Sequence, residues 1–163
     1  MSLAAASGED LGTTSDIVTD ALTAFGLKAE DSSHFADVLA KTSSSANTNV
    51  SLMGETFKYV APIAGTLGFS VEDTSLAIGL MANAGIKGSQ AGTSLKTAIA
   101  NMVSPSDKMA DKMDELGISI TDANDQTKPF IQIMQELREK FSKLDKAEQA
   151  AAASTIFGKE SMS

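Results

Sequence analysis

The sequence predicts an all-α protein of about seven or eight short helices, arranged in antiparallel hairpins or a bundle. Three observations carry this expectation. Apolar residues recur at helical spacing through most of the chain. The composition is 42% hydrophobic but only 5% aromatic, without Trp, and Ala together with 8 Met replaces large rings. Gly, Ser and Asp recur where helices would stop and start, and strand-like alternation is nearly absent.

The elements follow in order. Ile17, Ala21, Leu22 and Phe25 make one short apolar face, and Phe35, Val38 and Leu39 make a second. Met53, Phe57, Val60 and Ala64 continue the helical spacing, with Pro62 expected to kink that helix. Leu76, Leu80 and Ala84 extend the series, beside Ala77 and Met81. Leu95, Ile99 and Met102 define the next stripe, and Met109, Met113 and Leu116 another. The best-formed stripe is Phe130, Ile133, Met134, Leu137, Phe141 and Leu144, with Glu136–Lys140 and Glu139–Lys143 pairs on its outer side. Phe130, Met134, Leu137 and Phe141 form a candidate partner face. An alanine-rich helix is expected near residues 147–156. At most one very short extended segment is expected, near Ile118–Ile120.

Helix ends carry recognisable chemistry. Ser70 with Asp73, and Ser104 with Asp107, read as N-cap boxes, the second with Pro105 at the first helical position. Gly26, Gly68, Gly85, Gly117 and Gly158 stand where helices would end in a left-handed residue. A weak repeat accompanies these ends. Phe25-Gly-Leu-Lys-Ala-Glu-Asp31 recurs as Leu67-Gly-Phe-Ser-Val-Glu-Asp73, with an echo in Leu116-Gly-Ile-Ser-Ile-Thr-Asp122. Two accounts stand side by side: duplication of a helical unit, or stop-and-start signals that look alike because their physics is alike.

Length and charge narrow the class. A chain of 163 residues suffices for one helical domain, expected over residues 14–163, with residues 1–13 an expression remnant or poorly ordered lead-in. Thirteen basic and 21 acidic residues give a net charge of −8, which repels a nucleic-acid backbone. Lys140, Lys143 and Lys146 make no basic patch, because Glu136, Glu139, Asp145 and Glu148 surround them. No direct sequence-specific nucleic-acid contact is expected. The absence of Cys excludes disulfide scaffolds, thiol nucleophiles and thiolate metal sites. No apolar run approaches the ~20 residues of a membrane span.

Chemical motifs fail one by one. Gly85-Ile-Lys-Gly-Ser-Gln-Ala-Gly-Thr-Ser94 looks like a phosphate loop, but Gly92 rather than Lys precedes Thr93, and a helix rather than a strand precedes the loop. A helix stop at Gly85, a close turn at Gly88 and a new helix start near Gly92 are expected instead. His34 is the sole histidine, so a transition-metal set is missing. Asp122, Asn124 and Gln126 suggest a calcium loop, yet Thr127 replaces the needed glycine and Ile133 the terminal glutamate. The acid pairs Glu72/Asp73 and Asp114/Glu115 belong to helix ends or solvated faces. No catalytic, cofactor or metal site is expected.

The glycine stretch carries information of another kind. Ala84-Gly-Ile-Lys-Gly-Ser-Gln-Ala-Gly-Thr-Ser-Leu95 resembles the core signature of phage tail tape measure proteins, with Gly85, Ile86, Lys87, Gly88, Gly92 and Leu95 as the motif positions. Leu67–Asp73 lies upstream as in that family. Leu116–Asp122, Phe130–Leu137 and Ile156-Phe-Gly-Lys-Glu160 follow in the family's order. The resemblance covers roughly residues 14–163. One departure is Asp125, where members often carry glycine.

The resemblance implies a non-enzymatic structural protein, one domain of a much longer chain that scaffolds tail assembly and sets tail length. It implies tail tube subunits, tail assembly chaperones and tail-tip or baseplate proteins as partners, along with self-association. It also implies a place in the tail lumen, release ahead of DNA at ejection, and residence in the bacterial cytoplasm during assembly or when a prophage encodes it. The competing reading is a helical adaptor or effector domain that binds a protein partner and is unrelated to tails; the stripes at Phe130–Leu144 and Leu95–Met102 would then be its grooves.

Overall fold

The computed structural model describes Gly8 and residues 10–158. Most of residues 1–9, read as a remnant or lead-in, and the end of the Ile156–Glu160 motif lie outside them. Eight α-helices are present among the described residues: α1 (Leu11–Phe25), α2 (Ser32–Ser45), α3 (Val50–Thr66), α4 (Val71–Asn83), α5 (Gly88–Val103), α6 (Asp107–Leu116), α7 (Phe130–Ser142) and α8 (Lys146–Phe157). A 3₁₀ turn at Ala29–Asp31 leads into α2. Helical order begins earlier than expected: the Asp10 carboxylate accepts the Thr13 amide at 3.1 Å and starts α1 at Leu11, so residues 10–13 are not a loose lead-in. Extended structure is confined to the neighbourhood of the expected segment among the described residues. A lone antiparallel bridge joins Thr121 and Thr127, beyond Ile118–Ile120.

The chain divides into two compact units, one up to Thr93 and one from Ser94. In the first unit, alternate helices stack side by side. A Cβ built on Gly54 of α3 would fall 2.6 Å from Ile17 of α1, and one on Gly65 would fall 2.3 Å from the Ala24 carbonyl oxygen. These meeting points ascend together along both helices, so α1 and α3 run parallel. The start of α5 repeats the arrangement on α3. Gly88 lies against Leu52, and Gly92 against Thr56 and Tyr59. In the second layer, His34 pairs with Glu72, Gly79 sits under Thr42 and Ala46, and the Asn83 side chain accepts the Asn47 amide at 2.8 Å. So α2 and α4 are parallel too. Each must carry the chain back to the start of the next helix in the first layer, which makes α1–α2 and α3–α4 antiparallel hairpins.

The corners between helices are built by local hydrogen bonding. Gly26, Gly68, Gly85 and Gly117 all have φ between 68° and 92°. At each, the glycine amide and the amide of the next, apolar residue reach back to free carbonyls. Leu27 bonds to Leu22, Phe69 to Ala64, Ile86 to Met81 and Ile118 to Met113, at 2.8 to 2.9 Å. This is one helix-stop motif used four times, with an apolar residue tucked in after the glycine. Helix α3 continues through Pro62 without ending.

The two layers share a core in which Phe57 (1% exposed) is central. Its ring meets Phe25 edge-on at 5.8 Å and Phe35 at 5.5 Å, which ties α1, α2 and α3 together. Leu39, Met53, Val60, Ala64 and Ile78 are buried around them. The series read from α4 shifts by one position. Ala77, Ile78 and Ala82 are buried, whereas Leu76 and Leu80 are 43% and 56% exposed.

In the second unit α6 packs with α8, and the α7–α8 turn is clasped from one side. The Gln149 amide donates to the carbonyls of Phe141 and Leu144 at 2.9 and 3.0 Å, while Phe141 stacks on Phe157 at 6.2 Å. Asp145 and Glu148 form a reciprocal capping box at the start of α8.

Replacing Phe57 by Ala is expected to cost about 3–5 kcal/mol in urea unfolding, because the void has three helices to collapse and cannot close. Gly65→Ala should cost about 1–3 kcal/mol by forcing α1 off α3. That outweighs the roughly 1 kcal/mol that Ala gains over Gly in a helix. Gly54→Ala meets only the movable Ile17 side chain and should cost less than Gly65→Ala; equal losses would contradict the assignment of backbone contact to Gly65.

Candidate functional site

The glycine motif joins α4 to α5. Helix α4 ends at Asn83, Ala84 keeps helical geometry, and Gly85 turns left-handed with φ 92°. Ile86 and Lys87 are half-buried, and Gly88, at φ 60°, already opens α5. The second helix therefore starts four residues before Gly92, where the sequence suggests a start. Gly92 lies inside the helix, and a Cβ there would fall 2.8 Å from the Thr56 carbonyl oxygen and 2.9 Å from Tyr59. Leu95 is half-buried one turn further on.

The motif is anchored by a buried hydrogen bond. The Thr56 hydroxyl lies 2.9 Å from the Gly88 carbonyl and 3.0 Å from the Leu52 carbonyl of its own helix, so its proton is shared between them. Thr56 is 1% exposed, and Gly88 is buried against Leu52. The missing side chains of Gly88 and Gly92 are thus used against α3. Tyr59 and Thr56 fill the space beside Gly92 that a side chain would need. This geometry serves packing.

The predicted caps divide into two groups. Ser70 accepts the Asp73 amide at 3.1 Å and starts α4, and Gly117, at φ 69°, closes α6. At the start of α6 the cap is Ser106, which accepts the Met109 amide at 3.4 Å, and not Ser104. The reason is that the Ser104 amide still belongs to α5, bonding to the Ala100 carbonyl at 2.9 Å. Pro105 then disfavours helical geometry in the residue before it. Asp107 becomes the first helical residue and places its charge at the positive helix end.

The candidate partner face is only partly exposed. Phe130 (2% exposed) and Ile133 (0%) are core residues. Met134, Leu137 and Phe141 are half-buried, with Phe141 stacked on Phe157. Lys128 reaches both carboxylate oxygens of Glu136 at 2.8 Å and pins the lead-in of α7. A better exposed apolar surface lies elsewhere. Leu76 and Leu80 line a groove of about 510 Å³ between α2 and α4, with Val38, Thr42 and Gly79 along it and His34 and Glu72 at one end. Sequence periodicity places these leucines in the core. Only the position of α2 shows that they are outside.

Electrostatics at that end is modest. The carboxyl of Glu72 is held below its ordinary value, first by a backbone hydrogen bond in the opening turn of α4 and second by the His34 ring. Both side chains are about half exposed or more, so solvent weakens the pair. Among the described residues no three His, Cys, Asp or Glu side chains are grouped to hold a metal ion, and no helix is long and apolar enough to cross a membrane.

The loop that resembles a calcium site without completing one is closed by its own backbone. The Asp122 carboxylate accepts the amides of Asn124 at 2.8 Å and Gln126 at 3.0 Å. Asp125 is the sole non-glycine residue with positive φ among the described residues, at 58°.

Comparison with known proteins decides the family. The model of the family described as phage-related minor tail protein matches residues 1–158. The chain belongs to the phage-related minor tail protein family. Within phage tail proteins, it is 40% identical over 163 residues to the tape measure protein of Pneumococcus phage Dp-1, covering 100% of this chain and 14% of that protein. It is 34% identical over 142 residues to the probable tape measure protein of Escherichia phage P2, covering 86% of this chain and 17% of that one. No solved structure shows a significant match. This minor tail protein chain thus spans less than a fifth of the length of either relative.

The left-handed backbone at Asp125 accounts for the glycine that the tape measure resemblance leads one to expect there. Asp125→Gly should raise stability by about 0.5–1 kcal/mol, read from the urea midpoint, since glycine adopts that backbone without a Cβ clash. Glu72 makes a pH prediction. Its folded-state value lies below the unfolded 4.5, so its contribution is complete above pH 4.5 and disappears as pH falls through the folded value. Glu72→Gln should therefore lower the urea midpoint at pH 7 and leave it nearly unchanged at the acid end; an equal loss at both would contradict the ionic assignment.

Proposed function

We propose that this chain is a structural segment of a tape measure protein, the long component that scaffolds assembly of a phage tail and sets its length. The observation that carries the reading is the 40% identity along the whole chain to the tape measure protein of phage Dp-1. The motif geometry supports it, because the signature glycines serve helix packing against α3 and hold no reacting groups. On this reading the protein is not an enzyme. Its partners are tail tube subunits, tail assembly chaperones and tail-tip proteins, and its place is the tail lumen. It leaves ahead of DNA at ejection, and an acidic chain of net charge −8 would not hold the DNA that follows.

The test is an in-frame deletion of this segment from the full-length gene in its phage, with lysates viewed by electron microscopy. Absent, aborted or non-infectious tails are expected. Normal, infectious tails would contradict the scaffold role. A cell-wall zymogram of the purified chain should be blank, and a cleared zone would move the reading to a muralytic enzyme.

A further inference from the structure

We infer that residues 10–93 are a stack of tandem two-helix repeats, and that one repeat of about 40 residues is a module that can be added in register. The inference does not depend on the tail assignment. It rests on equivalent contacts made by successive helices.

In the first layer, Ile17 of α1 lies over Gly54 of α3, and Thr56 and Tyr59 of α3 lie over Gly92 of α5. Gly54 and Gly92 occupy the same rung of successive helices, and each lets the preceding helix approach. The second layer keeps the same spacing along the chain. His34 meets Glu72 across 38 positions, and Asn47 meets Asn83 across 36. The corners match as well. Gly26-Leu27 turns α1 into α2, and Gly68-Phe69 turns α3 into α4, through the same pair of backbone hydrogen bonds.

This separates the two accounts of the sequence repeat. The helix-stop motif occurs at four helix ends, so its presence alone says nothing about repetition. Phe25–Asp31 and Leu67–Asp73, however, stand at structurally equivalent corners of stacked hairpins. Leu116–Asp122 does not. The corner after α5 is made by Ser104, Pro105 and Ser106 without glycine, and Leu116–Asp122 leads into the Thr121–Thr127 bridge instead of a helix. Two of the three sequence echoes therefore mark repeats, and the third is a shared stop signal.

In a stack each repeat touches only its neighbours, so a unit inserted in register meets the faces it already fits. A second copy of residues 27–68 placed after Gly68 adds one helix to each layer. In the purified chain this should raise the far-ultraviolet helical signal in proportion to length and keep a single unfolding transition at or above the parent Tm. It should also protect the inserted amides from hydrogen exchange as well as those of α2 and α3, and lengthen the particle in small-angle scattering by about 10 Å, one helix spacing. Duplicating residues 27–47 alone is the out-of-register control, since it puts a second-layer helix on a first-layer rung. It should lower Tm and leave the insert unprotected. A third chain, with residues 27–68 deleted and Gly26 joined to Phe69, should remain helical and unfold cooperatively. The inference is overturned if neither full-repeat variant unfolds cooperatively, or if the control is as stable and as protected as the full duplication.

Discussion

The close approach of α1, α3 and α5 at their glycines is the constraint on which the first unit depends. At Gly65 and Gly92 the neighbour is backbone: the Ala24 carbonyl in one case and the Thr56 carbonyl in the other. No side-chain adjustment makes room there. This spacing lets a single ring, Phe57, touch Phe25 and Phe35 together and fill the junction of three helices. It also brings Gly88 within reach of the Thr56 hydroxyl, which locks the turn after α4 onto α3. The second layer follows because its helices must return the chain across those distances.

What the sequence discloses is what short stretches determine. The all-α class is legible because each helix carries its own apolar period and stop signal, and Gly26, Gly68, Gly85 and Gly117 all adopt the left-handed backbone that their position suggests. Parallel stacking of alternate helices is not legible, since it joins residues some 40 positions apart and leaves only small residues as its trace. Leu76 and Leu80 fit a core period as well as Ala77 and Ile78 do. Which pair is buried depends on where α2 lies. Phe130 reads as a face for partners, yet it is 2% exposed, because a periodic stripe looks the same whether its cover is internal or external. The misplaced cap at Ser104 is local and has a local cause, the continuation of α5 into the Ser104 amide.

The family signature gains a physical meaning from this geometry. Its glycines let one helix end and the next begin, with Gly88 and Gly92 set against α3. In this motif the glycines serve packing, since Gly88 and Gly92 leave room for Leu52, Thr56 and Tyr59 of α3. The same view moves attention from the α7 stripe to the α2–α4 groove, where Leu76 and Leu80 stand exposed.

The parallel stacking of α1 on α3 is the central claim, and the absence of Cys from the sequence makes it directly measurable. Spin labels on cysteines placed at Thr13 and Ser51, which line one shallow groove between these helices, should give a short distance by pulsed electron resonance. Labels at Thr13 and Thr66 should be farther apart by roughly 15 Å, because Thr66 lies about 22 Å along α3 from Ser51 at 1.5 Å per residue and the helix axes are about 10 Å apart. The reverse order of the two distances would show that the helices are antiparallel and would contradict the stack.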